Sequence, residues 1–196
     1  MNAVASPSPE PEGYYPPGDF ALWIFIFAEL LVFGIFFLAY AFARSANVEL
    51  FNASQSQINQ LSGAINTLVL ITSSYFVVRA VAAIRLDDRK RCIRWLYAAI
   101  AMGALFLVIK MVEFYQADAA GIGMETNTFF MFYLSLTFFH FMHVIMAMVI
   151  LAAIVLKARK GGYSAHDHTG VETGASYWHM IDLLWIILFP LVYVIR

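Results

Sequence analysis

The chain has 196 residues, of which 62% are hydrophobic, 16% aromatic and only 13% charged, and its mean hydropathy is +0.74. A water-soluble domain carries about twice that share of charge, so most of the length is read as bilayer-embedded. The net charge of -1 leaves no basic face for a nucleic-acid backbone, and the single cysteine, Cys92, excludes an internal disulfide and a multi-cysteine metal site.

Residues 1–19 hold five of the six prolines and no lysine or arginine. No apolar core precedes a small-residue cleavage site. This stretch is read as a disordered, Pro-rich N-terminal tail, and residues 20–196 as the transmembrane domain. Five apolar runs follow, about 20–43, 62–84, 94–116, 128–156 and 173–195. Each is long enough to cross a bilayer as a helix, and none alternates as a barrel strand does. The predicted fold class is therefore all-α: a polytopic membrane bundle of five transmembrane helices. Basic residues fix an orientation. The second connection carries Arg85, Arg89, Lys90, Arg91 and Arg94, and the fourth carries Lys157, Arg159 and Lys160. The first has only Arg44 and the C-terminus only Arg196. The positive-inside rule places the N-terminus in the cytoplasm and the C-terminus outside.

In chain order, the first run holds one carboxylate, Glu29, inside the apolar stretch Ile24–Tyr40. A carboxylate there must face protein, water or a partner, or carry a proton. The polar stretch ELFNASQSQINQL after it is either a short interfacial helix or a loop. The second run carries Asn66-Thr67 and Thr72-Ser73-Ser74, small polar residues suited to close helix packing, and Arg79, which can snorkel to the cytoplasmic interface. In the third, Lys110 and Glu113 share a face at i, i+3 spacing and are read as an intramembrane ion pair toward the outer side. The fourth run has no formal charge but two histidines, His140 and His143, again on one face. In the fifth, His179 and Asp182 are read as an imidazole held by a carboxylate, and Pro190 should bend or loosen the outer end.

Counting the helical rise from each run's inner end puts Glu29, His140, His143, His179 and Asp182 at overlapping depths. A single buried polar layer linking the first, fourth and fifth runs is the expectation. Three roles are open for its histidines: metal or haem ligation, hydrogen-bonded packing, and proton transfer. Two imidazoles on one helix face do not suit a bis-His haem, and there is no HExxH or Cys/His cluster, so no bound metal is expected. A small membrane transporter is an alternative of another class. Against it stand the absence of an internal repeat and the weakness of any helix interruption, Pro190 alone. The loops are too short to build a separate active site. A subunit of a larger membrane complex is the remaining reading.

Several motifs then align, in order, with one family. Phe27-Ala28-Glu29-Leu30-Leu31-Val32-Phe33, running on to Ala39-Tyr40, resembles the "SE…FF…F.AY" helix of subunit III of the haem–copper oxidases, the cytochrome c oxidase type. Asn66-Thr67-Leu68 with Ser73-Ser74 resembles its "NT…L..SS" helix, and Asp88-Arg89-Lys90 its charged loop. Glu113-Phe114-Tyr115 resembles its "EYY" helix end, Thr137–Val144 its "TGFHGLHV", and Tyr177–Trp185 its "YWHFVDVVW". The resemblance implies a non-catalytic subunit that carries no cofactor, with haem and copper confined to the partner subunit I. It implies packing against that subunit, and against subunit II, with bound phospholipid and other membrane lipids. It also implies roles in assembly, stability and proton uptake in a bacterial cytoplasmic membrane, with Glu29 as the family's buried carboxylate. Three departures stand out. Typical members have seven helices where this chain has five, Phe138 and Phe141 replace the glycines of "TGFHGLHV", and Lys110 stands where a glutamine is usual. Short five-helix relatives include an accessory protein of nitric oxide reductase, the NorE type, which is the alternative within the resemblance.

Overall fold

The computed structural model describes residues 20–195; the Pro-rich tail and Arg196 lie outside the described residues. Every regular element described is helical: α1 (Phe20–Ala46), α2 (Val48–Gln55), α3 (Gln60–Arg85), α4 (Arg89–Ala119), α5 (Thr128–Arg159), α6 (Thr169–Phe189) and a closing π-helical turn, Pro190–Val194. Five of these segments are long and apolar enough to span a bilayer, with the fifth running from Thr169 through Val194. The short helix α2 occupies the polar stretch after the first span. The chain is thus an integral membrane protein with the predicted all-α architecture.

Local chemistry sets the helix ends. Asn59, Asp88 and Asn127 cap α3, α4 and α5, each accepting a backbone N–H three residues on. The C-termini of α4 and α5 close with left-handed Gly121 (φ 72°) and Gly161 (φ 83°), where a Cβ would cost energy. The paired bonds Ile122 N–H to Ala117 O and Gly121 N–H to Asp118 O complete the turn after α4. The same arrangement ends α3 with Asp87 (φ 58°) in the glycine position. An aspartate tolerates that backbone better than most residues, and its carboxylate is used, accepting from Ala165 N–H at 3.1 Å. The connection between α3 and α4 is consequently only residues 86–88. The predicted charged loop is shorter than expected, because most of its cations ride on helix ends. Cys92, which by sequence falls between Arg91 and Arg94 of the second connection, is instead fully buried in the first turns of α4.

The bundle is organised around α3, α4, α5 and α6, with α1 outside them. Only Ile26, Phe33 and Tyr40 of α1 are buried, a seven-residue repeat that makes one narrow seam. Leu22, Leu30, Phe37 and Ala43 pack partly against the core beside that seam, while Phe27, Leu31 and Leu38, each more than 60% exposed, point away from the bundle, the stable arrangement for apolar surface in a bilayer. The end of α1 is pinned through α2: Tyr40 packs on Phe51, and Phe51 on Phe129 of α5, with ring centroids 5.3 and 5.5 Å apart. Close helix approach depends on missing side chains. A Cβ on Gly63 would lie 2.9 Å from the Phe189 ring, and one on Gly103 2.8 Å from Trp178. The small hydroxyls of α3 bond between helices. Ser73 donates to Ala99 O of α4 at 2.9 Å, and Thr67 accepts from Trp185 Nε1 of α6 at 3.0 Å.

Pro190 cannot donate to the preceding turn. The α-helix gives way there to the wider π-turn, closed by Ile195 N–H to Pro190 O at 2.9 Å. Carbonyls at a helix C-terminus lack intrahelical partners. Those of Val192 and Tyr193 are met by the side-chain amides of Gln55 and Gln60, at 2.9 and 2.7 Å.

Candidate functional site: polar groups inside the bundle

The largest polar assembly lies at the end of the bundle that holds α2 and the π-turn. Lys110 is completely buried, with Nζ 3.2 Å from Glu113 Oε2 and donating to Tyr193 Oη at 2.8 Å. Its ammonium stands 5.2–5.5 Å from the ring centroids of Phe114, Tyr133, Trp185 and Tyr193, a cage that stabilises a cation through the ring faces. Glu113 is equally well supplied. Tyr133 and Tyr193 both donate to Oε1, the latter at 2.6 Å, and Ser62 donates to Oε2 at 3.3 Å. Burying two charges is stable only when the remaining lone pairs and protons are satisfied, and here they are. The sequence spacing placed Lys110 beside Glu113. It did not supply Ser62, Tyr133 and Tyr193, which come from α3, α5 and the π-turn. The available signal was depth: both tyrosines lie at the ends of their runs that are level with Glu113.

Glu29 of α1 meets His143 of α5, Oε2 to Nε2 at 3.0 Å. The other ring nitrogen of His143, Nδ1, is 2.7 Å from Phe139 O. A carbonyl only accepts, so Nδ1 carries a hydrogen. One further proton then lies between Nε2 and Oε2. Held on Glu29, it leaves a neutral acid and a neutral imidazole; held on His143, it leaves a carboxylate and an imidazolium. Either way the pair sums to zero charge, which makes it tolerable in a bilayer. Phe33 and Phe139 flank the imidazole, at 5.3 and 4.7 Å between centroids. The pair is not sealed: the Glu29 side chain is 17% exposed and that of His143 9%.

The remaining predicted groups do not join this pair. His140 is fully buried between Phe106 and Trp185, with centroids 5.6 and 5.0 Å away, and neither ring nitrogen has a hydrogen-bond partner among the described residues. His179 turns to α3, its Nδ1 2.6 Å from Ser74 Oγ. Asp182 is buried beside it, with no hydrogen bond to either carboxylate oxygen among the described residues. Two expectations are therefore corrected. The imidazole of His179 is held by a serine hydroxyl, not by Asp182. The single layer through Glu29, His140, His143, His179 and Asp182 resolves into separate sites, because side chains three apart on a helix point about 60° apart. That rotation takes His143 to α1 and leaves His140 facing α4 and α6.

Comparison with known proteins follows the same residues. The family "Cytochrome c oxidase subunit III" matches residues 18–195. A cytochrome c oxidase subunit 3 of Thermostichus vulcanus is 34% identical over 89% of this chain and 85% of its own length. A cytochrome c oxidase subunit 3 of Synechocystis is 32% identical over 100% of this chain and 84% of its own. A cytochrome bo(3) ubiquinol oxidase subunit 3 of Buchnera aphidicola is 26% identical over 89% of this chain and 84% of its own. With nearly every described residue inside the match, and the Glu29, Glu113, His143 and Asp182 motifs among them, the chain belongs to the cytochrome c oxidase subunit III family.

Proposed function

We propose that this chain supports a haem–copper oxidase from the α1 side, where the Glu29–His143 pair supplies a neutral, proton-holding contact close to the protein surface. As a subunit III it is a non-catalytic part of an oxidoreductase complex and works alongside other oxidase subunits. The haem-bearing subunit I and subunit II are the partners in this reading, and haem and copper belong to them alone. The cation-rich end of the bundle faces the cytoplasm of a bacterium, with the N-terminus there and the C-terminus outside. Phospholipid fills the apolar face that α1 presents.

The observation that carries this reading is the hydrogen-bond pattern of His143. With Nδ1 committed to Phe139 O, the pair is neutral while one proton is shared between Nε2 and Oε2, and giving that proton to a neighbouring group leaves one negative charge on the pair until a proton is taken up again. Such a unit assists proton supply to a neighbouring subunit. Isolation from native membranes in mild detergent, with mass spectrometry of the complex, tests the assembly. Co-purification with a haem–copper subunit I and oxygen turnover is expected. An NO-reducing partner would move the chain to the nitric oxide reductase accessory role, and a symmetric homo-oligomer alone would favour a transporter. Glu29→Gln should leave assembly intact and hasten loss of activity during turnover. Normal activity throughout, or failure to assemble, would assign the pair a structural role only.

A further inference from the structure

Residues 85–94 and 157–172 meet at the end of the bundle where α1 begins, and they hold eight lysines and arginines against four carboxylates, Asp87, Asp88, Asp167 and Glu172. Three of those carboxylates are occupied. Glu172 pairs with Arg85 at 2.6 Å and Asp88 with Arg91 at 3.3 Å, and Asp87 accepts Ala165 N–H at 3.1 Å. Arg89, Lys90, Arg94, Arg159 and Lys160 meet no carboxylate among the described residues. Arg89 and Lys90 also open α4, the positive end of a helix dipole, where a cation is disfavoured and an anion favoured.

Between the two connections lies an open groove of about 660 Å3, with Leu86, Asp87, Asp88, Arg89, Lys90 and Gly161 among its walls. Its two aspartates are engaged as above, so its unpaired charge is that of Arg89 and Lys90. A Cβ on the left-handed Gly161 would lie 2.9 Å from Arg89 Nη1, so the guanidinium lies against that turn. Leu86 is 79% exposed beside it, an apolar surface at a charged end of the molecule.

A stretch of opposite character joins the molecule at the same end. Residues 1–19 carry Glu10, Glu12 and Asp19 and no lysine or arginine, and Pro9-Glu10-Pro11-Glu12 alternates prolines with carboxylates. An extended Pro-rich segment rises about 3.1 Å per residue, so the eight to ten residues from Phe20 back to Glu12 and Glu10 reach about 25–31 Å. Helix α1 packs on α6 through Phe25 and Tyr177, and α6 on α3 through His179 and Ser74. Two such steps of about 8–10 Å each bring the groove within that reach. Arginine forks match carboxylate oxygens in pairs, and a Pro-rich segment gives up little conformational freedom when it binds.

We infer that Pro9-Glu10-Pro11-Glu12 docks in this groove of its own chain, with its carboxylates on Arg89 and Lys90 and its prolines on Leu86. The contact does not depend on the proton role proposed for Glu29 or on the side of the membrane that this end faces.

The test is zero-length carbodiimide cross-linking of the full chain in mild detergent, with the linked peptides identified by mass spectrometry. An amide from Glu10 or Glu12 to Lys90 is expected. In an equal mixture of isotope-labelled and unlabelled chain, it should join peptides of the same label. Arg89→Gln keeps Lys90 and should lower the yield several-fold, since one exposed ion pair is worth up to about fivefold. Raising the salt from about 0.05 M to about 0.5 M should also lower it. Arg79→Gln with Arg94→Gln removes two cations from a separate groove of about 280 Å3 between α3 and α4, which Arg91 also lines, and should leave the yield unchanged. Circular dichroism should show full helicity in every variant. Links spread evenly over Lys90, Lys157 and Lys160, or an equal loss in the Arg79 and Arg94 variant, would show diffuse attraction only and overturn the site. Links between differently labelled chains would give the groove to a second copy instead. In the intact oxidase complex, links from Glu10 or Glu12 to another subunit in place of Lys90 would likewise overturn it.

Discussion

Glu113 and Glu29 are both carboxylates on membrane-spanning helices, and each has a base within 3.2 Å. Their surroundings differ in the number of donors. Glu113 receives Lys110, Tyr133, Tyr193 and Ser62, drawn from α3, α4, α5 and the π-turn. Donors from four elements converge on its two oxygens, and the cluster works as a staple between helices. Glu29 receives His143 alone, at the partly open seam of α1. It has one hydrogen-bond partner where Glu113 has several, and its side chain is 17% exposed. The first carboxylate stabilises the bundle; the second is placed to interact beyond it.

The largest effect is expected where that staple is cut on one side. Glu113→Leu leaves Lys110 buried without its carboxylate and should cost about 3–5 kcal/mol, measured by reversible unfolding in mixed micelles. Adding Lys110→Met should recover most of the loss, since a buried pair replaced whole is nearly neutral. A double variant no more stable than the single one would separate the lysine from the cluster. Gly63→Val comes next. Its Cβ would stand 2.9 Å from the Phe189 ring and 3.0 Å from that of Tyr193. The displaced π-turn should cost about 1–3 kcal/mol, and infrared or fluorescence probes at Tyr193 should report it.

The Glu29 pair should be gentler. Glu29→Ala strands His143 Nε2 and should cost about 1–3 kcal/mol, whereas Glu29→Gln keeps a donor to that nitrogen and should stay within about 1 kcal/mol of wild type. An equal loss in both would show that the pair needs its proton to be stable, bringing it closer in kind to Glu113. The smallest effect belongs to Ser73→Ala. It removes one interhelical bond to Ala99 O, a loss of about 0.6 kcal/mol on the average for such bonds, read in the same unfolding assay.

How much of this was legible beforehand varies with the range of the interaction. Lys110 and Glu113 were paired from spacing, because three residues along one helix lie within reach of each other and the long lysine stem spans the remaining gap; the shorter side chains of His179 and Asp182, at the same spacing, do not meet. Pro190 marked the change in the final helix for the same local reason: a missing N–H. The partners of His179 and His140 were not legible. Ser74 lies 105 positions from His179, and nothing in either segment says which way its helix is turned. Equal depth, the only signal at hand, brought five polar groups to one level but not to one another.

Length, hydropathy and residue order by themselves determined five spans, the asymmetric placement of arginine and lysine between the two ends, and the family to which the motifs point. The spans rest on short-range physics, the cost of unpaired backbone in lipid and the local spacing of a helix, while the family rests on the resemblance of the motifs. The tertiary structure alone decided which polar groups meet. It gave His143 to Glu29, His179 to Ser74, and Tyr133 and Tyr193 to Glu113, and it gathered Arg79, Arg91 and Arg94 around one groove. These depend on helix rotation and on the close approaches allowed at Gly63 and Gly103, which only the packed bundle sets.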